Sequence, residues 1–273
     1  MNFSGLLDAG LTQFVVLLAV IGARPLGFVM LHPIFSYFGI NSGVLRGAVI
    51  VAMCAPVLPG AMAMAMADPA VVSPAGIPLM VLRELLIGLV LGVLTGIPFW
   101  AAIAAGAFID MQRGASMATL VDPSSGGENT VLGTTFFLIC ILVLAAEGVL
   151  FPSIFGPLME SYRLVPVMGD MVMPDPQQGK LALSLLDQIT RAGLILSMPI
   201  LIPLLLTEIL LAVALKYTTQ INAMFTGMSV KQAVTFVLLL IYAVIFARYA
   251  MSDIGKGPFG VEALSPFLRG VVE

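Results

Sequence analysis

The chain has 273 residues, of which 60% are hydrophobic and 10% charged, with a net charge of −3 and a mean hydropathy of +1.09. Soluble domains carry about 25% charged residues, so this sequence cannot clothe a water-facing surface and is expected to form an integral membrane protein. Its lysines and arginines make no basic cluster, which argues against nucleic acid as a partner and against a polybasic lipid-binding segment.

Crossing a bilayer as a helix takes roughly 20 apolar residues. Six stretches qualify, at about 11–31, 44–67, 79–109, 131–158, 189–215 and 233–251. The sequence therefore predicts an all-α integral membrane protein with about six long apolar helical segments, several of them kinked or broken into hairpins. No linker is long enough to separate a second folded module, so residues 1–273 are expected to form a single membrane domain. No Lys or Arg precedes Arg24, so the first stretch lacks the basic start of a cleavable signal peptide and is expected to be retained.

The first stretch carries Arg24-Pro25 inside its apolar run. Either Arg24 faces protein or water within the membrane, or Pro25 ends the helix and Arg24 snorkels to an interface. The second stretch opens near Arg46 and ends in alternating Ala and Met. The third would be roughly 46 Å long as one helix, at 1.5 Å per residue. That exceeds a hydrocarbon core of roughly 30 Å, so a kink or break at Pro98, giving two helical pieces, is expected. Glu84, Gly88, Gly92 and Gly96 recur every four residues, forming one narrow stripe where a neighbouring backbone can come close. Arg83 and Glu84 are sequence neighbours and cannot face one another, so each needs its own partner. Asp110-Met111-Gln112-Arg113-Gly114 follows, then Asp122-Pro123 in a Ser-Gly-rich loop.

Glu147-Gly148 interrupts the fourth stretch, and Glu160 to Asp187 reads as a polar, proline-bearing loop. Pro199 and Pro203 predict a kinked fifth helix, with Glu208 and Lys216 roughly on one face. Loop charge weakly favours both termini in the cytoplasm.

The chain offers no chemistry of the usual catalytic kinds. There is no Gly-x-Ser-x-Gly elbow and no phosphate-binding loop. Asp110, Asp122 and Asp253 sit at the ends of apolar runs, where an intramembrane aspartyl dyad would not be placed. His32 is the single histidine, and Cys54 and Cys140 lie apart in apolar runs, so no metal, cofactor or disulfide is expected. Two readings remain on residues alone. One is a polytopic small-solute secondary transporter using Arg24, Glu147 or Glu208 as embedded charges. The other is a structural subunit of a larger membrane assembly.

The ordered set Glu84-Leu85-Leu86-Ile87-Gly88, Pro98-Phe99-Trp100, Gly106-x-x-Ile109-Asp110-Met111-Gln112-Arg113-Gly114 and Asp122-Pro123 resembles one family's central signature. That family is the T subunit of the type III secretion export apparatus (SctT/YscT/SpaR/HrcT), whose flagellar homologue is FliR. Arg24 before a Pro33-containing loop, Ser161-Tyr162 before Pro166, and Gln220-Ile221-Asn222 with Phe225 and Lys231 extend the resemblance over about residues 20–250. The Asp-x-Gln-Arg-Gly form resembles the injectisome branch more than the flagellar one. Thr218-Thr219 stand where the family often has Ala-Pro, and the long cytoplasmic extension of some relatives is expected to be missing.

The resemblance implies a non-enzymatic subunit that joins R- and S-type subunits in an export gate of the bacterial inner membrane. Part of that gate is lifted towards the periplasm. It further implies U- and V-type partners and unfolded secreted proteins in transit, with lipid around the assembly. Arg24, Glu84, Gly88, Gly92, Gly96, Asp110, Gln112, Arg113, Gly114, Asp122, Gln220, Asn222 and Lys231 are the residues expected to serve packing and assembly.

Overall fold

The computed structural model describes residues 3–40, 42–67, 76–115, 130–167, 176–217 and 223–256. These form α1 (Phe3–Leu31), α2 (Pro33–Tyr37), α3 (Gly43–Cys54), α4 (Leu58–Ala67), α5 (Ile77–Arg113), α6 (Val131–Ala146), α7 (Leu150–Leu164), α8 (Pro176–Tyr217) and α9 (Ala223–Lys256). No strand occurs among the described residues. Four helices carry segments long and apolar enough to cross a membrane: Phe14–Leu31, Ile77–Arg113, Ile189–Tyr217 and Thr226–Arg248.

The other two apolar stretches are divided. α6 and α7 pass the same test only together, bent by 84° at their break, the geometry of a broken span or a re-entrant loop. The 44–67 stretch becomes two short helices, because Pro56 withholds an amide in the turn between Cys54 and Leu58. All six apolar stretches are thus helical, four carrying spanning-length helices and two broken, among the described residues. α8 also begins at Pro176, inside the segment expected to be a loop. Proline at a helix's first position surrenders an amide that has no helical partner anyway.

α5 runs through Pro98 as one helix instead of two pieces. One proline removes one backbone bond, and packing of its flanks holds the rest: Ile97 and Phe99 on either side are buried. α1 likewise continues through Pro25.

Helix ends are closed by local chemistry. Ser42 Oγ accepts from the Leu45 amide at 3.4 Å and Thr130 Oγ1 from the Gly133 amide at 3.2 Å, each serving as an N-cap. At the end of α6 the Gly148 amide bonds to Ala145 O and the Val149 amide to Leu144 O. That pairing of bonds needs a left-handed residue, and Gly148 has φ +71°. Glycine here is what turns the apolar stretch into a bent pair.

The residues group into two compact units. The first takes in those up to Gly96 and those of Phe151–Gln178; the second takes in those of Ile97–Leu150 and Gly179–Gly257. In the first, Leu17, Val20 and Ile21 of α1 pack with Cys54, Ala61 and Val167. Phe28, His32 and Phe35 form an aromatic cluster with ring centroids 5.2–6.1 Å apart. In the second, Phe136 of α6 stacks on Phe246 of α9 at 4.6 Å. The Tyr242 hydroxyl donates to the Leu196 carbonyl in the turn before Pro199. On α8 and α9 the large apolar residues Ile202, Leu206, Ile209, Leu240 and Ile241 are each more than half exposed. Exposing apolar side chains while burying charged ones is the arrangement a membrane solvent favours.

Candidate functional site

In the first unit α1 and α5 cross with almost no separation. A Cβ built on Gly92 would lie 2.7 Å from the Phe28 carbonyl oxygen, and one on Gly88 would fall within the Arg24 backbone. A Cβ on Gly27 of α1 would lie 2.8 Å from the Leu89 amide nitrogen. Gly88 and Gly92 are thus occupied by α1 of the same chain. Gly96 is buried on the same stripe.

One turn before Gly88, the same face delivers Glu84 to Arg24. Arg24 Nε donates to Glu84 Oε2 at 2.7 Å, and its NH2 group lies 2.7 Å from the same oxygen, with both side chains fully buried. α7 supplies the rest of the shell. Arg24 NH1 donates to Ser161 Oγ at 3.0 Å and NH2 to the Val165 carbonyl at 2.9 Å, while the Tyr162 ring lies 4.2 Å from the guanidinium carbon. The Tyr162 hydroxyl donates at 3.3 Å to the carbonyl of Ile21. That is the carbonyl whose helical partner Pro25 removes, since proline has no amide to return four residues back. Arg24 therefore faces protein and does not snorkel, and Pro25 does not end the helix.

In the second unit the Asp110–Gly114 sequence is the last turn of α5 and its stop. The Gly114 amide bonds to Met111 O and the Ala115 amide to Asp110 O, with Gly114 at φ +85°. Asp110 works in two directions. Oδ1 accepts from Arg113 Nε at 2.7 Å, and Oδ2 accepts from the Leu132 amide at 3.0 Å in the open first turn of α6. A carboxylate at a helix N-terminus also meets the positive end of its dipole. Gly106 and Gly133 bring the two helices together here, as a Cβ on Gly106 would fall within the Leu132–Gly133 backbone. Gln112 Nε2 donates to Glu208 Oε2 of α8 at 3.0 Å, and Lys231 Nζ of α9 lies 3.1 Å from the same oxygen. Lys231 also reaches the Gln112 carbonyl at 3.5 Å.

Asp110→Ala should lower stability by about 3 kcal/mol, since it strands a buried guanidinium and a buried amide together. Asp110→Asn keeps an acceptor for the amide and should lose clearly less. Thermal midpoints of the purified variants in detergent check the order.

Of the residues expected to matter, the structure gathers Arg24, Glu84, Gly88 and Gly92 in one cluster. Asp110, Gln112, Arg113, Gly114 and Lys231 form another. Asp122, Gln220 and Asn222 lie outside the described residues. In the sequence Ser161 and Tyr162 are visible only as part of a family pattern, and no partner for Glu208 is legible there. A fully buried Arg24 needs several acceptors, and that requirement is the signal that points to a hydroxyl-bearing helix.

Residues 15–256 match the family described as bacterial export proteins, family 1. The chain is 31% identical to surface presentation of antigens protein SpaR of Salmonella typhimurium, over 82% of this chain and 83% of that protein. It is 28% identical to Yop proteins translocation protein T of Yersinia pestis, over 82% and 84% of the respective chains. It is 29% identical to flagellar biosynthetic protein FliR of Bacillus subtilis, over 60% and 63%. These are membrane proteins of an export apparatus and not an enzyme family. With the match spanning nearly all its helices, this chain belongs to the bacterial export proteins, family 1, the type III secretion and flagellar export family that its central signature resembles.

Proposed function

We propose that this chain is a structural subunit of a type III export gate. In this reading it assembles with R- and S-type subunits to form the inner-membrane entry channel for unfolded proteins. The observation that carries the reading is the family match over residues 15–256, with both secretion and flagellar proteins among the relatives. A part common to both kinds of machine belongs to the export step they share. U- and V-type subunits are further partners, and part of the assembly stands towards the periplasm. The chain acts as one export-apparatus domain. Arg24, Glu84 and the glycines at 88, 92 and 96 set the helix packing that partners dock on, and Asp110 to Gly114 with Lys231 fix the end of α5. Asp122, Gln220 and Asn222 belong to the assembly contacts.

The test is co-purification from membranes in which the tagged chain is expressed with its cognate R- and S-type subunits. A stoichiometric complex is expected. A homogeneous free chain that binds a small solute, with neither subunit retained, would reject the gate reading for the transporter one. Alanine at Asp110 and Arg113 that left both assembly and secretion at wild-type levels would remove those two residues from it.

A further inference from the structure

A cavity of about 530 Å³ opens at the end of α5, lined among others by Gln112, Arg113, Glu208, Leu215, Met228 and Lys231. Its polar wall is unevenly used. Asp110 engages Arg113 through Nε, yet the two terminal nitrogens of that guanidinium carry no hydrogen bond among the described residues, although the side chain is nine-tenths buried. Glu208 takes both of its bonds, from Gln112 and Lys231, on Oε2, and its side chain stays half exposed. Those two nitrogens are free to donate to an acceptor that enters the cavity, and a planar guanidinium suits a carboxylate or paired carbonyls.

We infer that this cavity is a docking site for a polypeptide segment of a neighbouring membrane subunit. That segment would bring a carboxylate or backbone carbonyls to Arg113, a donor to Glu208, and apolar side chains to Leu215 and Met228. The pattern of charge selects the class of ligand. An anionic lipid headgroup would satisfy Arg113 and Lys231 but set its phosphate against the Glu208 carboxylate. A polypeptide carries donors and acceptors side by side and meets both. The volume suits a few side chains rather than a diacyl lipid. Placement agrees as well: Arg113 closes α5, and Glu208 lies nine residues before the end of α8 at Tyr217. This deepens the assembly reading and rests on it.

The experiment uses the full chain in membranes with its R- and S-type subunits. Ala212, an exposed residue of the cavity wall, is changed to cysteine and labelled with a benzophenone maleimide; Cys54 and Cys140 are buried and leave the label to this position. On illumination, a discrete adduct with the R- or S-type subunit is expected. Ala212→Trp, which fills the space, should lower the co-purified subunit at least fivefold while the chain's own membrane level holds. An adduct with phospholipid alone overturns the inference, as does the absence of a protein adduct from complexes that the unlabelled chain still forms. Failure of the unsubstituted chain to retain either subunit is a separate result: it removes the assembly reading itself and this inference with it.

Discussion

Arg24→Met is expected to destabilise the protein by about 3–5 kcal/mol, the cost of stranding one member of a buried ion pair. The substitution keeps most of the side chain's volume, so a cavity contributes little. Glu84 loses its counter-charge, and the Val165 carbonyl and Ser161 hydroxyl lose a donor where water cannot replace it. Glu84→Gln should cost less, because the amide oxygen still accepts from Arg24 while the guanidinium keeps Val165 and the Tyr162 ring. The double variant Arg24→Met with Glu84→Gln should recover part of the loss, since no bare carboxylate remains. Recovery stays partial because α7 is still short of its donor. Thermal midpoints of the four proteins in detergent, with protease resistance of α7 as a second readout, form the cycle. Additive effects of the two substitutions would mean that Arg24 and Glu84 do not stabilise each other.

Arg24 and Glu84 illustrate what the sequence makes legible and where it stops. A charged residue in an apolar run must be satisfied somewhere, and that alone marks Arg24. Its partners are 60, 137 and 141 positions away, and no periodicity reports a contact at that separation. The i, i+4 stripe of Glu84, Gly88 and Gly92 is visible because helix geometry repeats on that scale. Which helix it receives is not visible, because several apolar segments are equally suited. The same limit decides which apolar stretches stay whole and which divide. Pro56 and Gly148 are plain in the sequence, but Pro25 and Pro98 look alike and leave their helices whole. The difference lies in packing, such as the Tyr162 hydroxyl at Ile21, which only the folded chain supplies. Asp110 to Gly114 stood out as a motif of polar residues closing an apolar run. That one carboxylate ends α5 and also begins α6 is a contact across 22 positions, which no local pattern reports.

Gly88→Ala is expected to be as damaging as loss of Arg24, at about 4 kcal/mol or more, although it adds a single methyl group. That methyl would occupy the space of the Arg24 carbonyl, and a backbone atom cannot rotate aside as a flexible side chain can. The α1–α5 crossing has to open, and overpacking of that kind joins the largest single-substitution effects. The damage then spreads along the ladder. Gly88 lies one turn from Glu84, and the two nearest atoms a Cβ there would meet belong to Arg24, so widening the crossing also lengthens the ion pair. Gly92→Ala should cost less, because its methyl would stand 2.7 Å from the Phe28 carbonyl oxygen and a smaller shift relieves it. Gly47→Ala on α3 is the control, as nothing lies within 4 Å of a Cβ there. That change should be neutral or stabilising by about 0.5–1 kcal/mol, from helix propensity alone. Combining Gly88→Ala with Arg24→Met gives the sharper comparison. If the close crossing serves chiefly to bring the ion pair together, the two losses should sum to clearly more than the double variant shows. Strict additivity in midpoint would instead mean that the glycine contact and the ion pair hold α1 to α5 independently.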